Sequence, residues 1–273
     1  MNELSKQFDL KAFVDQCDFK RPNWQSYMKY VCTQGNKEDF FSTMFASQLD
    51  DYLDLNYPNL FALNQHDDGL SSKVETKSEF YRYATSGLGK FTDIAIANTK
   101  DALTDLIEFK TDRHGAYINY SAMKDDCDIS QLPQKYWKKT FNDISKLVDK
   151  KIAYPQTRIW VGTLLYSVQV MKNEFPYNYP KYYQDEPKRV KGIDASSFTQ
   201  EILDYECANK CTRFIELLLR FKNALPRYGT SSGASSFSLD LQVEDFSLKT
   251  VARGSHRGVL VRSDLVLFEV KPT

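Results

Sequence analysis

The sequence predicts an α/β (α+β) fold: a central mixed β-sheet flanked by helices, followed by a β-rich C-terminal extension. Three observations lead there. Segments alternate in kind along the chain, in the order helix, strands, helix, strand, helix, strands. Some carry apolar residues at helical spacing, as at Phe41, Phe45, Leu49 and Leu53. Others, such as TRIWVGTLLYSVQVM at 157–171, are rich in β-branched and aromatic residues.

Taken in order, residues 1–35 mix charge with Phe8, Phe13, Phe19, Trp24, Tyr27 and Tyr30, and predict a helical N-terminal cap. A helix then runs through NKEDFFSTMFASQLDDYLDLNYP, with Asn36 as N-cap, Glu38 and Asp39 in the first turn and Pro58 closing it. Residues 64–78 are polar and read as loop, and EFYRYAT at 79–85 as a strand. TDIAIAN (92–98) and DLIEFKT (105–111) form a hairpin across the turn-type connection NTKDA. GAYINYSAM (115–123) extends the sheet. Pro133 opens a helix, QKYWKKTFNDISKLVDKKI, with Trp137, Phe141, Ile144 and Leu147/Val148 on one side. After the strand at 157–171 comes an irregular Pro- and Tyr-rich stretch, 173–192, and an amphipathic helix over 196–225 that stops at Pro226. GTSSGASS is a joint before the tail strands SFSLDLQVEDF, SLKTVAR and GVLVRSDLVLFEVK. The boundaries that follow are a cap at 1–35, a core at 36–225 and a β extension at 226–273 packed on it, or all three as one domain.

The chain has 273 residues, 42% of them hydrophobic and 14% aromatic, which is enough for a sizeable core. Lys+Arg and Asp+Glu balance at 36 each. That excludes a strongly basic coat protein but leaves room for a local nucleic-acid patch. The five cysteines (17, 32, 127, 207 and 211) are odd in number and irregularly spaced, and MNELSKQFDLKAF is polar. Together they predict free thiols in a cytoplasmic protein with no secretory leader. No apolar run approaches the roughly 20 residues needed to span a bilayer.

The chemistry concentrates in the hairpin. Glu108 and Lys110 are two apart on a strand and project to one face, while Phe109 faces the other. If the two strands pair, Asp93 lies beside Glu108. Two half-buried carboxylates are costly unless paired or bound to a cation. Carboxylate oxygens are the hard ligands that Mg²⁺ or Mn²⁺ prefers, and such an ion polarises a phosphodiester.

Asp93 followed by Glu108-Phe109-Lys110, 15 residues on (108 − 93), resembles the PD-(D/E)XK nuclease superfamily, over roughly residues 36–170. Thr92 stands where that family often has Pro. The resemblance implies a restriction-endonuclease-like core and a metal-dependent deoxyribonuclease of restriction or defence type. It implies Asp93 and Glu108 as metal ligands and Lys110 as the partner of the attacking water. The family's additional helical Glu maps to Glu38, or to Glu79 as second choice. It also implies a DNA partner and a homodimer for double-strand cutting. Candidate DNA contacts are the basic helix with Lys135, Lys138 and Lys139, with Arg158 beyond it, and the loop with Tyr182, Lys188 and Arg189. Arg253, His256, Arg257 and Arg262 form another strip. His114 is a lesser candidate. Asp264 and Glu269, five apart, fall on opposite faces of a last strand with a solvated end. The alternatives are a silent nuclease-like nucleic-acid-binding protein and a protein-interaction module.

Overall fold

The computed structural model describes residues 8–33, 37–64, 92–98, 103–113, 144, 147–148, 151, 155–170, 199–223, 225–226 and 236–273. The expected strands at 79–85 and 115–123, the N-cap Asn36 and most of the helix after Pro133 lie outside them.

Three helices open the chain. α1 (Leu10–Gln16) starts where Asp9 accepts the Lys11 amide proton at 2.9 Å. α2 (Pro22–Cys32) begins on a proline, which has no N–H to lose there. α3 (Lys37–Asn56) buries Phe41, Phe45, Leu49 and Leu53, the stripe expected from the sequence. The strands are β1 (Leu60–Asn64), β2 (Ile94–Asn98), β3 (Leu103–Arg113), β4 (Arg158–Val170), β5 (Leu225–Pro226), β6 (Ser236–Phe237), β7 (Ser247–His256) and β8 (Val259–Glu269). α4 (Gln200–Phe221) precedes β5 and is capped by the Thr199 hydroxyl. Among the described residues no helix is long and apolar enough to cross a membrane.

Six strands make one sheet in the order β1-β2-β3-β4-β8-β7. β3 and β4 are parallel and every other neighbouring pair antiparallel, so the sheet is mixed. Side-chain alternation divides the core in two. On one face Ile107, Phe109, Trp160 and Leu164 pack with α1–α3. On the other, Leu106, Ile159, Val161 and Phe268 pack with α4 and with the helical residues Ile144, Leu147 and Val148.

β8 is an inner strand and is almost wholly buried, as its near-continuous apolar run requires. Its end at Glu269 and Lys271 is partly exposed, but Asp264 is not solvated: it is 1% exposed. Arg262 donates to it through Nε at 2.9 Å and Thr250 through Oγ1 at 2.9 Å. The helix expected to stop at Pro226 ends at Phe221, and Pro226 sits instead in β5. SFSLDLQVEDF is not one strand. Ser236–Phe237 pairs as a short strand, Leu239 makes an isolated bridge to Pro272, and Val243–Asp245 turns as a 3-10 helix because the Asp245 carboxylate captures the Gln242 amide at 2.7 Å. The sequence pattern does not announce β1 either. Its first neighbour is α3, whose Asp50 accepts the Ala62 amide proton at 2.9 Å.

One contact fixes β3 against the helices. The Phe109 ring meets Phe41 edge-on at 5.0 Å and Phe45 at 5.0 Å. It also crosses Gly162, its register partner on β4, where a Cβ would overlap the ring carbons. Replacing Gly162 by Ala therefore forces the ring out of its aromatic seat. The expected loss is about 2 kcal/mol, or about 4–8 °C in thermal midpoint for a domain of this size. An unchanged midpoint would show that the ring has room to move.

Candidate active site

β3 outruns its neighbour. The β2 ladder ends at Ile94 opposite Ile107, yet β3 continues to Arg113 with, among the described residues, only β4 beside it. Alternate amides of a strand point the same way, so those of Phe109 and Thr111 both face the side that β2 has left. Two carboxylates take the place of ladder carbonyls. Asp93, just before β2, accepts the Phe109 N–H at 2.6 Å, and Glu38, in the first turn of α3, accepts the Thr111 N–H at 3.1 Å. A buried backbone amide needs an acceptor, which is the local reason these acids sit here.

Glu108 and Lys110 project together from β3 while Phe109 is buried on the other face, as their spacing requires. Lys110 Nζ lies 2.8 Å from Glu108 Oε1 and 2.9 Å from Glu38 Oε1. The lysine thus links the acid beside it on the strand to an acid on a helix 72 residues earlier. Asp93, Glu108, Lys110 and Glu38 converge from three separate elements.

The electrostatics follow from that crowding. Burial pushes the Asp93 carboxyl up to about 7, and the Glu108 carboxylate pushes the same way. The Lys110 ammonium and the Phe109 N–H pull it back, and Glu38 adds a smaller upward push. For Lys110, burial alone would favour the neutral amine. The Glu108 and Glu38 carboxylates outweigh it and raise the pKa above the ordinary lysine value. At neutral pH the lysine is therefore an ammonium, a donor rather than a base. Three carboxyl groups around one ammonium leave an excess of negative charge with hard oxygen donors, a set that suits Mg²⁺ or Mn²⁺. Asp93 and Glu108 could contribute oxygens to such an ion. Among the described residues, no cluster of three or more His, Cys, Asp or Glu side chains is arranged as a ready metal cage.

Sequence reasoning missed Thr163. It is the register partner of Lys110 on β4, shares its face of the sheet and is fully buried, and its hydroxyl has no hydrogen-bond partner among the described residues. A threonine inside the apolar run of β4 was the signal. Also missed was Asp105, fully buried, which holds Arg158 Nε at 2.9 Å and Trp160 Nε1 at 2.8 Å. Arg158 further donates to the Phe8 carbonyl at 2.7 Å. It clamps the N-terminal segment to the sheet and is not a free phosphate contact beyond the basic helix. The tail strip divides in the same way. Arg253 and Arg262 pair with Asp204 of α4 at 2.5 and 3.3 Å, whereas His256 and Arg257 stay at the β7–β8 turn. Lys135, Lys138, Lys139, Tyr182, Lys188, Arg189, Glu79 and His114 lie outside the described residues.

Comparison with known proteins finds no matching family model, no matching curated protein and no matching solved structure.

Two measurements probe this geometry. The folded pKa of Asp93, about 7, exceeds that of a free carboxyl, so the folded chain holds a proton that the unfolded chain gives up above about pH 4. The stability that comes from this proton is complete below pH 4 and is lost as pH rises to 7, by up to about 1.4 kcal/mol per pH unit. Thermal melts should show wild type losing stability relative to Asp93→Asn between pH 4.5 and pH 7. Parallel curves would remove Asp93 as the titrating group. Thr163→Val deletes an unpartnered buried hydroxyl and should stabilise the fold by about 1 kcal/mol in urea unfolding. A loss of stability would mean that the hydroxyl has found a partner.

Proposed function

We propose that this protein is a Mg²⁺- or Mn²⁺-dependent nuclease that hydrolyses DNA phosphodiester bonds, in keeping with a restriction or defence-type endonuclease of the PD-(D/E)XK kind. The observation that carries this reading is the convergence of Asp93, Glu108, Lys110 and Glu38 at the open edge of β3. Bound there, the ion supplies Lewis acidity and lowers the pKa of its water.

The chain's own residues account for the rest. Asp93, just before β2, and Glu108, in the middle of β3, would hold such an ion, which would offset the repulsion between their carboxylates. The Phe109 and Thr111 amides fix the Asp93 and Glu38 carboxylates, so little ordering remains when substrate arrives. The Lys110 ammonium donates to the attacking water or to a non-bridging phosphate oxygen, where negative charge grows in the transition state. Glu38 holds that ammonium in place.

A second reading, a nucleic-acid-binding protein that does not cut, draws on one observation. Lys110 bridges Glu38 and Glu108 tightly, so its charge is already neutralised. One experiment separates the two. Purified protein is incubated with supercoiled plasmid and Mg²⁺, beside Glu108→Ala and Lys110→Ala. Nicking or linearisation by wild type, reduced at least about 100-fold in both variants, is the expected result. DNA retention without cutting would favour the silent reading, and cutting unaffected by both changes would remove this site from the chemistry.

A further inference from the structure

We infer that the β7–β8 hairpin, together with the last turn of α2, is a second phosphate contact that grips duplex DNA away from the cleavage site. The inference rests on the nuclease reading for its partner, but on separate residues for its observations. The hairpin turns through Arg257 and Gly258, at φ 46° and 76°. Two left-handed residues in a row make the tight hairpin turn in which Asn-Gly or Gly-Gly is normal. An arginine in the first of these positions is disfavoured by about 1 kcal/mol. Its side chain is exposed at the outermost point of the turn.

Lys29 and Tyr30, in the last turn of α2, flank this turn. Tyr30 packs edge-on against His256 with ring centres 6.2 Å apart and stays 43% exposed. The Lys29 ammonium lies against Gly254 on β7. Among the described residues neither Lys29 nor Arg257 has a carboxylate in ion-pair range, although Arg253, Arg262 and Lys249 nearby are all paired with aspartates. The like charges are felt locally: burial lowers the His256 pKa, and Arg257 and then Lys29 lower it further. Uncompensated cations beside an exposed aromatic ring are the makings of a phosphate contact.

The hairpin lies toward the same end of the sheet as Lys110. β4 and β8 run on to Val170 and Val259, beyond the point where β3 ends opposite Tyr166, so the hairpin overhangs the end of the sheet that carries Lys110. α2 carries Tyr30 in its last turn on the hairpin side, and α3 opens at Lys37, whose ammonium lies over the Tyr166 ring at 4.5 Å, with Glu38 next to it. From Thr163 to Val170 is seven residues of strand (170 − 163), and three strand spacings separate β3 from β7. Together these give a span of about 25 Å, or about seven base pairs of duplex.

The test is fluorescence anisotropy with a blunt DNA duplex of about 24 base pairs, titrated between about 50 and 200 mM salt without divalent metal. Lys29→Ala/Arg257→Ala should reduce the slope of log affinity against log salt by about 2, one for each phosphate no longer neutralised. Arg257→Gly suits the turn's backbone better, so it should reduce the slope by about 1 while keeping or raising the thermal midpoint. Glu108→Ala should not reduce it. An unchanged slope in the double variant overturns the inference, as does a wild type that does not bind the duplex. The expected slopes in a protein that never cuts plasmid leave this contact standing and refute the nuclease reading instead.

Discussion

The seating of Phe109 is the constraint on which the rest depends. Its ring is held between Phe41 and Phe45 of α3 and turns one edge into the space where Gly162 has no side chain. Such aromatic pairs contribute about 0.5–1.5 kcal/mol each beyond simple burial. More important is what the ring does to its neighbours. Because a strand alternates, pinning residue 109 inward commits 108 and 110 to the opposite face with little freedom. The helix that supplies the two phenylalanines also supplies Glu38 one turn earlier, so the same packing that orients Glu108 and Lys110 delivers their third partner.

The second determinant is a difference in strand length. β3 extends six residues beyond its last pairing with β2, from Ile107 to Arg113. Among the described residues no second strand pairs with that stretch, and its backbone donors turn to side chains. Exposed edges of this kind are usually covered or blunted. Here acidic side chains cover them, and the covering brings negative charge together around a lysine. Backbone satisfaction and charge clustering are thus two aspects of one arrangement, which is why Asp93 can be both 5% exposed and crowded by like charge.

Much of this was legible in the sequence. The spacing in α3, the two apolar runs of the hairpin and the i, i+2 pairing of Glu108 with Lys110 all follow from local periodicity, and the structure realises them. What local patterns do not carry is strand order. That β8 inserts between β4 and β7, and that Asp264 is buried with Arg262, depends on pairings between distant segments. The same holds for Asp105, whose neighbours in sequence suggest a strand but whose partners, Arg158 and Trp160, are more than fifty residues away. The broken strand at 236–246 failed for the opposite reason: one side chain, Asp245, outcompeted the ladder locally.

The placement of β8 also shapes how the chain is made. β4 waits for its antiparallel partner until 89 further residues (259 − 170) have been synthesised. During that interval an apolar strand thirteen residues long has one side unclaimed while the ribosome is still at work. A nascent protein in that condition is open to adventitious strand pairing with its neighbours until β8 emerges.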